Sequence, residues 1–124
     1  MPYVGVDMLK FDGKRVYLSC GVTDMRKSIN GLMSIVQDSF NLDPFTESVY
    51  VFCNKSRNRI KILEWDGDGF WLYFKRLEKG RFRWPQPGKE ATMNFEPEEL
   101  KILLSGVKVE LKLKRNEVIE RKIS

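Results

Sequence analysis

The sequence predicts an α+β domain in which an antiparallel sheet of about four or five strands carries two packed helices. Three observations predict it. Three strand-like runs follow one another from Ser48 to Leu77 with connectors too short for parallel crossovers, which need about a dozen residues. An earlier segment switches to a helical hydrophobic period, and a later one opens with an early proline and acidic residues as helices do. A chain of 124 residues, 42% apolar and 31% charged, fits a single domain over 1–124, with one core at about 14–113 and a fraying tail at 114–124.

The first strand is expected at Lys14 to Cys20, a β-favouring run behind the Asp12-Gly13 turn. From Asp24 to Phe40, apolar residues recur at Met25, Ile29, Leu32, Met33, Val36 and Phe40, the spacing of a helix that buries one face. Thr23 or Asp24 supplies its N-cap, and Leu42-Asp43-Pro44 ends it. Gly31 inside this helix is either tolerated or marks a close neighbour.

Ser48 to Cys53, Asn58 to Trp65 and Phe70 to Leu77 then form a meander, joined by Asn54-Lys55-Ser56-Arg57 and by Asp66-Gly67-Asp68-Gly69. In the middle run Ile60 and Ile62 face one way, and Arg59 and Lys61 the other. Pro85-Gln86-Pro87-Gly88 is a loop. Thr92 to Phe95 reads as a short strand and Pro97 to Ser105 as the second helix. Val107 to Leu113 alternates apolar and charged residues, the pattern of an edge strand.

Composition excludes several function classes. The chain has no histidine, the usual general base and the commonest metal ligand, which removes serine-histidine, cysteine-histidine and zinc-histidine chemistry. Cys20 and Cys53 are too few and too far apart for a disulfide framework or a metal knuckle, and both read as buried strand residues. No run approaches the roughly 20 apolar residues of a membrane span, and the start has no leader pattern, so a cytoplasmic protein without membrane contact is expected. No phosphate-binding glycine loop is present. The expectation is a non-enzyme with no cofactor, no metal and no small-molecule substrate.

Asp66-Gly67-Asp68-Gly69 is the one carboxylate pair that suggests a metal. A calcium loop beginning at Asp66 would need glutamate at its twelfth position, where Leu77 stands, and a hairpin turn explains the four residues. A magnesium-dependent nuclease built on Asp66 and Asp68 is the residual enzymatic alternative.

The net charge of +5 is unevenly spread: residues 55–84 carry a net +5 and 107–124 a net +3, while 1–54 and 85–106 are slightly acidic. The basic middle also holds three tryptophans and several other aromatics, the mixture a nucleic-acid groove uses. Candidate contacts are Arg57, Arg59, Lys61, Lys75, Arg76, Arg81 and Arg83 for phosphates, with Trp84 to stack or wedge against a base. Strand alternation, with aromatics inward and cations in water, accounts for the same pattern without a ligand, and Trp84 would then cap the core.

The runs CGVTDMRKSINGL (Cys20 to Leu32), LDPF (Leu42 to Phe45), the stretch from Val49 to Pro85 with RIKIL and WDGDGF, and FEPEELKILLSG (Phe95 to Gly106) are the residues that carry a likeness. Over about four fifths of its length the chain resembles the small accessory protein of the insertion-sequence-sixty-six family of bacterial transposable elements, a family unrelated to the larger RNA-guided nucleases with which it shares a label. The resemblance implies non-catalytic assistance of DNA transposition, with the transposase encoded separately, and it carries over no catalytic residue. Cys53 and Glu64 depart from the family pattern, where Arg or Asn and an aromatic are common. DNA at the element ends and the transposase are the expected partners. The alternative is a protein-protein adaptor that assembles the transposase without touching DNA.

Overall fold

The computed structural model describes residues 11–85 and 88–105. Five strands, β1 (Arg15–Ser19), β2 (Ser48–Cys53), β3 (Arg59–Trp65), β4 (Phe70–Arg76) and β5 (Thr92–Phe95), form one sheet in the order β4-β3-β2-β1-β5. Two helices, α1 (Ile29–Ser34) and α2 (Pro97–Ser105), accompany it. The architecture is α+β, and the β2-β3-β4 meander is antiparallel as the short connectors require.

One pairing departs from the expected antiparallel pattern: β1 and β2 run parallel. The connection between them passes through α1 and is long enough for a crossover, so the helix covers one sheet face on its way back. The centre of the described sheet is therefore covered on both sides, while β4 and β5 stay partly exposed. Val16, Leu18, Val49, Val51, Ile60 and Ile62 meet α2 through Leu100 and Leu103 on one face. Tyr50, Phe52 and Leu63 meet Leu32 and Val36 on the other. Every residue of β2 is buried, which explains its unbroken apolar run.

The first helix is shorter than its periodicity suggests. Asp24 accepts the Arg26 amide on its own carboxylate, and Lys27 N donates to Asp24 O, so 24–27 is a turn and Ser28 is extended. Met25 keeps its inward place without being helical. At its far end the helix continues as a π-helical turn, Ile35–Ser39, with Phe40 N donating to Ile35 O, and Asn41 closes it at a positive φ of 57°. No packing of another element accounts for Gly31: the nearest atoms to a Cβ there belong to the side chain of Lys27 in the preceding turn, at 3.2 Å and beyond. The edge strand expected at Val107 to Leu113 and the tail lie outside the described residues.

Candidate nucleic-acid interface

The chain direction gathers charge. β1 and β2 both end, β3 begins and β4 ends at one end of the sheet, where the Asn54–Arg57 turn lies. Asn54 builds that turn: its side-chain oxygen accepts the amides of Asn58 and Arg59, and its amide group donates to the Asn58 side chain. The arrangement holds Arg57 at φ 62°, a left-handed conformation unfavourable for a side chain with a Cβ.

The segment after β4 crosses the same end. Leu77 N donates to Asn58 O, and Phe82 N donates to Arg57 O at 2.7 Å. Phe82 and Trp84 turn inward while Arg81 and Arg83 stay exposed, so the Arg-Phe-Arg-Trp alternation becomes a strap with cations outside. Lys55, Arg57, Arg59, Arg76, Arg81 and Arg83 therefore share one end. The opposite end carries Asp43, Glu47, the Asp66–Gly69 turn and Glu96, with Lys14 and exposed Arg15 among them.

The predicted contacts divide into three groups. Arg59 and Arg76 are direct cross-strand partners on the face that α1 covers elsewhere, and Arg76 also pairs with Glu78 at 2.8 Å, both side chains more than half exposed. Arg57, Arg81 and Arg83 flank this pair along the turn and the strap. Lys61 and Lys75 serve the fold: Lys61 Nζ donates to the carbonyls of Met25 and Lys27, fastening the loop before α1, and Lys75 Nζ, on the other face, donates to Leu104 O at the end of α2.

Trp84 does not match the stacking role expected of it. It is 9% exposed, packs in the α2-side core and donates its indole N–H to Ser19 O at 2.9 Å. A large ring with one donor is satisfied by a buried site whose rim offers a carbonyl. The aromatic that does lie among the cations is Phe74, 55% exposed, directly across from Lys61 and two residues before Arg76 on the same face. Period-two alternation along β4 carried that signal, since it puts Phe74 on the face of Arg76.

The carboxylates of the other end have structural duties. Asp66 accepts the Trp71 indole N–H, and this bond with the neighbouring Asp68 holds its carboxyl below the usual range. Glu64 is 4% exposed, accepts the Tyr73 hydroxyl at 2.7 Å and pairs with Lys14 at 2.6 Å. Burial, together with the Glu64 carboxylate, pushes the Tyr73 hydroxyl above its ordinary range. Burial raises the Cys53 thiol to about 11 and also raises the Cys20 thiol, which leaves both unreactive near neutrality. Among the described residues no three acidic, cysteine or histidine side chains gather into a metal-holding group, and no helix is long and apolar enough to cross a membrane.

Comparison with known proteins adds the context. The family described as IS66 Orf2 like protein matches residues 14–114, which takes in the whole described sheet and both helices. The chain belongs to the IS66 Orf2-like family. Membership supports an accessory role in an insertion sequence. Two proteins of Sinorhizobium fredii (strain NBRC 101917 / NGR234) are similar to it. The uncharacterized protein y4jC is 34% identical over 95 residues, covering 77% of this chain and 80% of its own. The uncharacterized protein y4hO is 37% identical over 93 residues, covering 75% and 80%. No solved structure matches.

Proposed function

We propose that this IS66 Orf2-like protein assists transposition by binding DNA through the basic end of its sheet. The observation that carries the reading is the uneven placing of charge, with half-buried Arg57 and Arg59 and exposed Arg76, Arg81 and Arg83 at one end and most of the sheet's carboxylates at the other. Arg57, Arg59, Arg76, Arg81 and Arg83 would contact phosphates, and Phe74 would meet an unpaired or splayed base. Guanidinium forks suit bidentate phosphate contacts better than ammonium groups, which fits the use of Lys61 and Lys75 as internal ties. The acidic end would orient the protein by repulsion from the phosphate backbone.

Fluorescence anisotropy with labelled terminal-repeat DNA, as duplex and as single strand, against scrambled controls at several salt concentrations tests the reading. Five arginine-phosphate contacts give a slope of log affinity against log salt of roughly −4.5 on duplex DNA, and replacing Arg59, Arg81 and Arg83 with alanine flattens it by about 2.7. An unchanged slope in the triple variant would sink the reading. The adaptor alternative draws on Trp71, 54% exposed on the face of β4 opposite to Phe74. Co-purification with the transposase after nuclease treatment, without DNA binding by the protein alone, would favour it.

A further inference from the structure

We propose that the outer edge of β4 pairs antiparallel with β4 of a second copy of this chain, about a two-fold axis at Leu72. β4 is an end strand of the sheet among the described residues. Leu77 N donates to Asn58 O at one end of the β3–β4 ladder, and Asp66 N to Gly69 O at the other. By alternation Trp71, Tyr73 and Lys75 bond inward to β3, and Phe70, Leu72, Phe74 and Arg76 turn their N–H and C=O groups outward. The strand is seven residues long with no proline and no glycine. Such an edge is a ready template for another strand, and none of the usual devices that blunt edges interrupts its first five residues.

Charge selects the partner. β4 runs from the acidic end to the basic end, so antiparallel pairing sets each copy's basic end beside the other's acidic turn, whereas parallel pairing would set like ends together. With the axis at Leu72, Phe70 faces Phe74 of the second copy, Trp71 faces Tyr73, and Arg76 comes beside the turn before β4, which carries Asp68. The two aromatic pairs, and the cation beside a carboxylate-bearing turn, are combinations that stabilise antiparallel neighbours; Leu72 meets its own copy and Lys75 falls opposite Gly69. Arg76 already holds Glu78, and its guanidinium has donors enough for a second carboxylate. The two copies of Arg76 would stand about 26 Å apart along the joined strands. If the DNA reading holds, such a dimer presents two nucleic-acid surfaces and could hold two DNA segments; the pairing itself does not depend on that reading.

Sedimentation of the full chain without DNA, combined with oxidative cross-linking, is the test. The expected mass is twice the 14.6 kDa of the chain. Leu72→Cys places two thiols across one antiparallel pair, within disulfide reach, and should convert most of the chain to a covalent dimer. Lys75→Cys, far from its own copy in this register, should not. Because Leu72 is half-buried, a charge swap gives a second readout. Arg76→Asp should weaken the dimer about tenfold, through two symmetric contacts, and adding Asp68→Arg should restore it. A monomer at all concentrations overturns the proposal, whether its β4 amides exchange freely or are protected by its own chain. So does a dimer that neither cross-links at position 72 nor responds to the swap.

Discussion

Arg59 and Arg76 face each other directly across the β3–β4 ladder, two guanidinium side chains on one sheet face. Like charges in that position destabilise a sheet by a few tenths of a kcal/mol to about 1 kcal/mol, so the pair favours an anion that would bridge it. Replacing Arg59 with Glu should raise stability by about 0.5 kcal/mol in urea unfolding and weaken DNA binding at the same time. Stability and affinity falling together would mean that Arg59 serves the fold.

Arg57 gives a second separation of fold from function. At φ 62° its conformation is one that glycine adopts freely. Arg57→Gly should leave stability unchanged or raise it by about 1 kcal/mol while lowering DNA affinity and the salt slope by about one contact. Thermal unfolding and anisotropy on the same preparation check both halves.

Trp84 should behave in the opposite way. Trp84→Phe removes the indole bond to Ser19 O and some core volume, for a loss of about 1–3 kcal/mol. The variant, where folded, should bind DNA as the parent does. Loss of affinity at unchanged stability would restore the ring to the interface.

Lys14 and Glu64 form a mostly buried pair, completed by the Tyr73 hydroxyl. Lys14→Met leaves the carboxylate without its cation and should cost about 3 kcal/mol, and adding Glu64→Leu should recover much of it, because two apolar groups need no mutual compensation. Chemical denaturation of the single and double variants measures the recovery, and additive losses would contradict the pairing.

Asp24 carries the pH dependence of the loop before α1. Its hydrogen bonds from Arg26 lower its carboxyl to about 2 from an ordinary 3.8. A depressed folded-state value means that the tie is fully present above the ordinary range and is lost as pH falls from near 4 toward 2. Carboxyl NMR should give a midpoint near 2, and Arg26→Ala should move it up toward 3.8. A midpoint that ignores Arg26 would refute the tie.

Much of the fold was legible because single-residue patterns carry it. Alternation placed Ile60 and Ile62 on one face against Arg59 and Lys61 on the other, and Thr92 to Phe95 and Pro97 to Ser105 were readable from local chemistry. The parallel β1–β2 pair was not, since strand direction depends on where the intervening helix packs. The start of α1 was misplaced because Met25 has the right period while the Asp24 side chain competes for the amides that a helix would use. Site residues were legible as charges but not as duties. That Lys61 and Lys75 bond to carbonyls 29 residues away or more, or that Trp84 reaches Ser19, depends on long-range placement that no local pattern records.

Amide NMR mapping during titration with terminal-repeat duplex shows whether DNA meets the basic end of the sheet. Shifts should concentrate in residues 55–59, 74–76 and 81–83, with residues 43–48 and 66–69 unmoved. Shifts centred on the acidic end, or none at low salt, would contradict that contact.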